Sequence, residues 1–136
     1  MINVIMGLKG SGKTKRLIDA INETVAKAQG DVVCIEYGKQ LTYDVNYRVR
    51  LVNSKEYEIN NVDKLKGLLS GLHAGNFDIT NVYIDNLYKT IGTDRAVGEA
   101  FILWCAEFAN ANNMNITITV SDDPAQASEA VKAYLI

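Results

Sequence analysis

Short apolar runs alternate with amphipathic stretches along the whole chain, and this alternation predicts the elements. Ile2–Met6 is a run rich in β-branched residues and reads as a first strand. From Lys13 to Gln29 the apolar positions Leu17, Ile18, Ile21, Val25 and Ala28 recur at helical spacing, with Glu23 and Lys27 forming an i,i+4 pair on the polar side and Gly30 as a stop. Val32–Tyr37 is apolar nearly throughout and reads as a second, buried strand. Tyr43, Val45, Tyr47, Val49 and Leu51 alternate with Asp44, Asn46, Arg48 and Arg50, the period of a half-exposed strand at a sheet edge whose first half is a loop or hairpin arm.

A second helix follows over Val62–Ala74, capped by Asn61, with Leu65, Leu68, Leu69 and Leu72 on one face. Gly67, Gly71 and Gly75 are spaced four apart along it, which predicts close packing of helix on sheet, with a subunit contact as the alternative. Val82–Ile84 is a buried strand ending at Asp85. A third helix spans Asp94–Asn112 with Val97, Phe101, Trp104, Cys105 and Phe108 inward, and Ile116–Val120 is the last strand. Asp123, Pro124 and Gln126 supply a cap, a first-turn proline and a capping-box partner for a fourth helix. Strands alternating with helices need crossovers. The expected fold is therefore α/β: a mostly parallel sheet of about five strands flanked by helices, in one domain covering residues 1–136. Such sheets bind ligands at the carboxyl ends of their strands.

Composition narrows the function classes. The 136 residues are 48% hydrophobic, enough for one core, and the net charge of −2 argues against a general nucleic-acid surface. Cys34 and Cys105 sit in apolar runs and not in a C-x-x-C pair, so they read as buried thiols and not as zinc ligands. The first apolar run is too short for a signal peptide, and no stretch reaches the ~20 apolar residues of a membrane span. The cytoplasm is the expected location.

The chemistry lies between the first strand and the first helix. Gly7-Leu8-Lys9-Gly10-Ser11-Gly12-Lys13-Thr14 fits G-x-x-x-x-G-K-[ST], the Walker A phosphate loop, and has the strand–loop–helix context that the motif demands. Its four fixed positions coincide by chance in roughly a few chains per thousand of this length. Glycines let successive backbone N–H groups face one anion, and the following helix N-terminus adds its dipole. Residues Gly7 to Thr14 together with Lys15 are the expected nucleotide-binding set. Lys13 reaches the β- and γ-phosphates, and the Thr14 hydroxyl takes Mg²⁺.

Asn81-Val82-Tyr83-Ile84-Asp85 has the form of a Walker B strand, with Asp85 as a second Mg²⁺ ligand. The next residue is Asn86, where many P-loop ATPases place a water-activating glutamate. Asparagine cannot take that proton, so it positions water or senses the γ-phosphate, and slow turnover is expected. No N-K-x-D guanine-reading segment is present, which disfavours a Ras-type GTPase. Arg48, Arg50 and Arg95 read mainly as surface arginines, and Ser121 as a candidate γ-phosphate sensor. Tyr37, Tyr43 and Tyr47 read as sheet packing, with a base clamp as the alternative.

Through GLKGSGKT and NVYID the chain resembles the P-loop NTPase superfamily, which implies a RecA-like three-layer sandwich. VVCIEYGKQLTYD and WCAEFANANNMNITITVSDDP further resemble the RecA-like core of type II thymidine kinases. Those kinases carry Asp-Glu where this chain has Asp85-Asn86. They also have a cysteine-rich zinc domain and a nucleoside-covering lasso, and no stretch here corresponds to either. The chain is similar, too, to short bacterial proteins described as ATP-binding. The resemblance implies ATP or ADP with Mg²⁺ as ligand and Lys13, Asp85 and Asn86 as the catalytic set. The expected activity is a slow or partner-activated ATPase, with a protein partner or homo-oligomer left open. Two alternatives stand beside it: a small phosphotransferase, and a nucleotide-gated or DNA-associated module, the last favoured only if Lys9, Lys15, Arg16, Arg48 and Arg50 form one basic stripe.

Overall fold

A computed structural model describes residues 1–136. Five strands form one sheet: β1 (Ile2–Gly7), β2 (Asp31–Glu36), β3 (Arg50–Asn53), β4 (Ile79–Ile84) and β5 (Asn115–Ser121). Their spatial order is β1-β5-β4-β2-β3, and every pairing is parallel. The main crossover helices are α1 (Lys13–Lys27), α2 (Val62–Gly75) and α4 (Arg95–Ala111), with the single turn α3 (Leu87–Ile91) between β4 and α4. This is the three-layer sandwich expected for a RecA-like fold.

Strand alternation divides the core between the two faces. Ile116, Ile118 and Val120 of β5, with Val33 and Ile35 of β2, point into a cluster of 22 buried residues that includes Leu65 and Leu69 of α2 and Phe101, Ile102 and Cys105 of α4. The opposite face holds a smaller cluster of 10, where Leu17, Ile21 and Val25 of α1 meet Ile5, Val32, Cys34 and Tyr83. The smaller cluster leaves the carboxyl end of this face to polar groups. Thr119 and Asp85 lie there, buried but not among its apolar residues. Caps fall where the sequence places them: Asn61 Oδ1 accepts from Lys64 N at 2.8 Å, and Asp94 Oδ1 from Val97 N at 3.2 Å.

Four local expectations are corrected. Residues 43–49 are turns, and only Arg50–Asn53 pairs as the edge strand. Leu41, Val45 and Val49 are buried at a spacing of four, while Tyr43 and Tyr47 are 98% and 92% exposed and pack against no sheet. The C-terminal segment is a 3₁₀ turn, Pro124–Gln126, followed by a one-turn helix α5 (Glu129–Lys132) capped by Ser128, and not a continuous helix. Val97 is 41% exposed and not inward, because the adjacent Gly98 is what faces the Tyr88 ring. Finally, Gly67, Gly71 and Gly75 pack against nothing: a Cβ at each would meet no atom within 4 Å.

Candidate functional site

The parallel sheet brings the carboxyl ends of β1, β5 and β4 to one edge. Gly7 stands beside Ser121 in register, and Ile84 beside Ile118, so Asp85 follows at the level of Thr119. A cavity of about 370 Å³ opens there. From the loop it is lined by Lys9, Gly10, Gly12, Lys13, Thr14 and Lys15, and from the strand ends by Asp85, Asn86, Thr119 and Ser121. The structure therefore brings together all the expected site residues except Gly7, Leu8 and Ser11, which do not line the cavity. A side chain on Gly7 would collide with Ser11. The Leu8 carbonyl accepts Ser11 N at 3.1 Å and Lys13 Nζ at 3.0 Å.

Gly10 and Gly12 have φ of 83° and 85°, a region that L side chains rarely adopt. These two left-handed residues bend the chain so that α1 begins directly after Gly12. The first backbone bond of that helix is Arg16 N to Gly12 O, which leaves the N–H groups of Lys13, Thr14 and Lys15 without an acceptor in the chain. Free N–H groups at a helix N-terminus are an anion site. Lys13 is 8% exposed. Burial lowers its pKa, and the nearby Asp85 carboxylate opposes that shift.

Asp85 is 7% exposed, and its Oδ1 accepts the Thr119 hydroxyl at 2.7 Å. The same Thr119 oxygen accepts Asn86 N at 2.7 Å. Asn86 adopts φ 58°, which turns the chain from β4 into α3 and leaves the residue lining the cavity. The second carboxylate oxygen of Asp85 and the Thr14 hydroxyl make no hydrogen bond within the chain, and neither is sealed from solvent. Two hard oxygen donors beside an anion nest suit Mg²⁺, which takes one or two protein oxygens together with substrate phosphates. They would not suit a protein-only metal cage, and no group of three His, Cys, Asp or Glu side chains gathers in the chain.

Thr119 is the residue that sequence reasoning missed. Its signal is the alternation Ile116-Thr117-Ile118-Thr119-Val120-Ser121, which puts two threonines and a serine on one face of β5. Glu36 was missed as well. It is 3% exposed at the end of β2, next to Asp85 across the β2–β4 pairing. Its Oε1 accepts Gln40 N at 2.7 Å and Leu41 N at 3.1 Å, so it fastens the loop after β2 and lies outside the cavity. The Cys34 thiol is pushed up by burial and then by Asp85 and Glu36, so it is inert.

Other expected residues fall elsewhere. Arg95 is held by Asp122 through Nε at 2.7 Å and Nη2 at 2.8 Å, and this places it beside Ser121 but not in the cavity. Arg48 and Arg50 line a separate hollow between α2 and the sheet, apart from Lys9 and Lys15, so the five basic residues do not form one stripe. Tyr37, Tyr43 and Tyr47 line no part of the cavity. No helix is long and apolar enough to cross a membrane.

No protein-family model matches the chain, and no curated protein sequence matches it. Among solved structures it is similar to the flagellar accessory protein FlaH from Methanocaldococcus jannaschii, with a TM-score of 0.62 and 11% identity. That alignment covers 97% of this chain and 65% of the FlaH chain. Likeness at this identity shows the fold, and the chain spans less than two thirds of that neighbour's length.

Proposed function

We propose that this chain binds ATP with Mg²⁺ through the phosphates, on the loop Gly7–Thr14, and hydrolyses it slowly unless a partner assists. The observation that carries this reading is the convergence of free loop N–H groups, Lys13, Thr14 and Asp85 on one cavity at the carboxyl edge of the sheet. In it the N–H groups of Lys13, Thr14 and Lys15 hold phosphate oxygens. The Lys13 ammonium exchanges the Leu8 carbonyl for the β- and γ-phosphates. Thr14 and Asp85 hold Mg²⁺, which supplies charge neutralisation when bound.

Slow turnover follows from the same lining. Asp85 is its one carboxylate, and that group already accepts the Thr119 hydroxyl. Asn86 can orient a water but cannot take its proton. A phosphotransferase needs a base beside an acceptor pocket, and Glu36, at the end of β2 next to Asp85, is engaged by two loop amides. These features favour binding with weak hydrolysis over phosphoryl transfer. The separation of Arg48 and Arg50 from Lys9 and Lys15 likewise weighs against a DNA-associated module.

Calorimetric titration of ATP, with Mg²⁺ and then with EDTA, tests the reading in wild type and Asp85→Asn. Mg²⁺ should strengthen binding to wild type by about tenfold or more, and by much less in the variant. Equal Mg²⁺ dependence in both proteins would remove Asp85 from the metal site.

A further inference from the structure

We infer that the site selects its ligand by the polyphosphate chain and is indifferent to the base, so that its substrate class is any nucleoside triphosphate, with inorganic tripolyphosphate as the limiting case. This rests on the phosphate-loop reading above and deepens it.

The ten residues lining the cavity include no hydrophobic side chain. What they present is ammonium, hydroxyl, carboxylate, side-chain amide and free backbone N–H, the partners of phosphate oxygens and of a hard cation. A base is held by other means, through flat apolar faces for stacking and fixed polar groups that read its edge. Small-molecule pockets that recognise such rings are lined mostly by apolar and aromatic side chains.

No aromatic side chain lines the cavity. The segment carrying Tyr43 and Tyr47 is pinned to α1 by Asn22, whose Nδ2 donates to Asp44 O at 3.0 Å and whose Oδ1 accepts Asn46 N at 2.8 Å. Tyr37 has the Lys55 ammonium 5.8 Å from its ring centroid, and Tyr57 lines the hollow beside β3. Leu8 is the one exposed apolar side chain on the loop, at 61%. It lies outside the cavity lining, and a leucine carries no group that reads a base edge. Discrimination of about 10⁴ or more requires a site that hydrogen-bonds a distinguishing group, whereas apolar stacking tolerates all bases.

Charge points the same way. Lys9, Lys13 and Lys15 face the cavity against the single carboxylate Asp85, and Lys15 shares its charge with Asp19 at 3.1 Å. A cavity with surplus positive charge ranks ligands by their phosphates. Triphosphates should bind more tightly than diphosphates, and monophosphates most weakly.

Calorimetric titration of the wild-type chain, in Mg²⁺, with ATP, GTP, CTP, UTP, sodium tripolyphosphate and AMP tests this. The four nucleoside triphosphates should agree within about threefold, tripolyphosphate should fall within about tenfold of them, and AMP should bind at least tenfold more weakly. A preference of tenfold or more for one base, or AMP binding as tightly as ATP, would overturn the inference and leave phosphate-loop binding standing. No binding by any of the six would overturn both.

Discussion

Thr119→Val removes one hydroxyl and little else, and the structure sets the size of the effect. Thr119 is 1% exposed on β5, and its Oγ1 makes two 2.7 Å bonds, to Asp85 Oδ1 and from Asn86 N. Valine keeps the branched shape and suits a strand, so packing changes little. The loss is polar: a carboxylate oxygen and a backbone N–H are each left short of a partner. A hydrogen bond to a charged group contributes about 1.5–3 kcal/mol, and an orphaned buried donor costs about 1–3 kcal/mol. Both groups adjoin the cavity, so water recovers part of this, and a net loss of about 2–3 kcal/mol is expected. For a chain of 136 residues that corresponds to a fall in Tm of roughly 6–12 °C. Urea unfolding should show a lower midpoint with an unchanged m-value. Thr119→Ser should recover most of the loss, because it restores the hydroxyl. The Mg²⁺ dependence of ATP binding should weaken in the valine variant and not in the serine one, since Asp85 loses the group that orients it. A valine variant within about 0.5 kcal/mol of wild type would refute the idea that this hydroxyl holds the acidic end of the site.

Three further outcomes are expected. Wild-type ATP hydrolysis without a partner should lie well below the median enzyme rate of about 10 s⁻¹. Asn86→Glu should raise it, at a stability cost below the ~1–2 kcal/mol left-handed penalty, part of which asparagine already bears, and a wild-type rate near the median would contradict the assignment. Gly71→Ala should stabilise the chain by up to about 1 kcal/mol, because its Cβ enters open space on a helix; a loss in urea unfolding would mean that this face is covered in solution. The Arg95 guanidinium holds the Asp122 carboxyl below the usual aspartate range. Its contribution is therefore complete above the unfolded aspartate pKa of about 3.9 and fades as pH falls through the depressed folded value. Stability of the wild type should thus fall more steeply with acid below that range than stability of Asp122→Asn, and superimposable curves would dismiss the pair as a contributor.

The local grammar of the chain was legible where function and fold coincide. The loop Gly7–Thr14, the strand before it and the helix after it follow from glycine placement and apolar spacing. Asn61 and Asp94 announce their helices because short acceptor side chains cap free N–H groups. Three features were not legible, each for a physical reason. The strand pattern of residues 43–49 was misleading because burial there has a period of four, imposed by α1 and by the Asn22 bonds to Asp44 and Asn46. Helix α3 is a single turn, too short for a periodic signal. Thr119 looks like an ordinary strand residue until β5 is known to lie between β1 and β4. Only that long-range order sets its hydroxyl against Asp85.

Thermal unfolding with and without ATP·Mg²⁺, in wild type and Lys13→Ala, tests the central claim most directly. A ligand at a hundred times its Kd that binds only the folded chain adds about 2.7 kcal/mol of stability. Wild type should show that upward shift in Tm. Lys13→Ala should lose it, because the cation nearest the β- and γ-phosphates is gone while the loop backbone remains. An equal shift in both proteins, or none in wild type, would contradict the account of this loop as the nucleotide site.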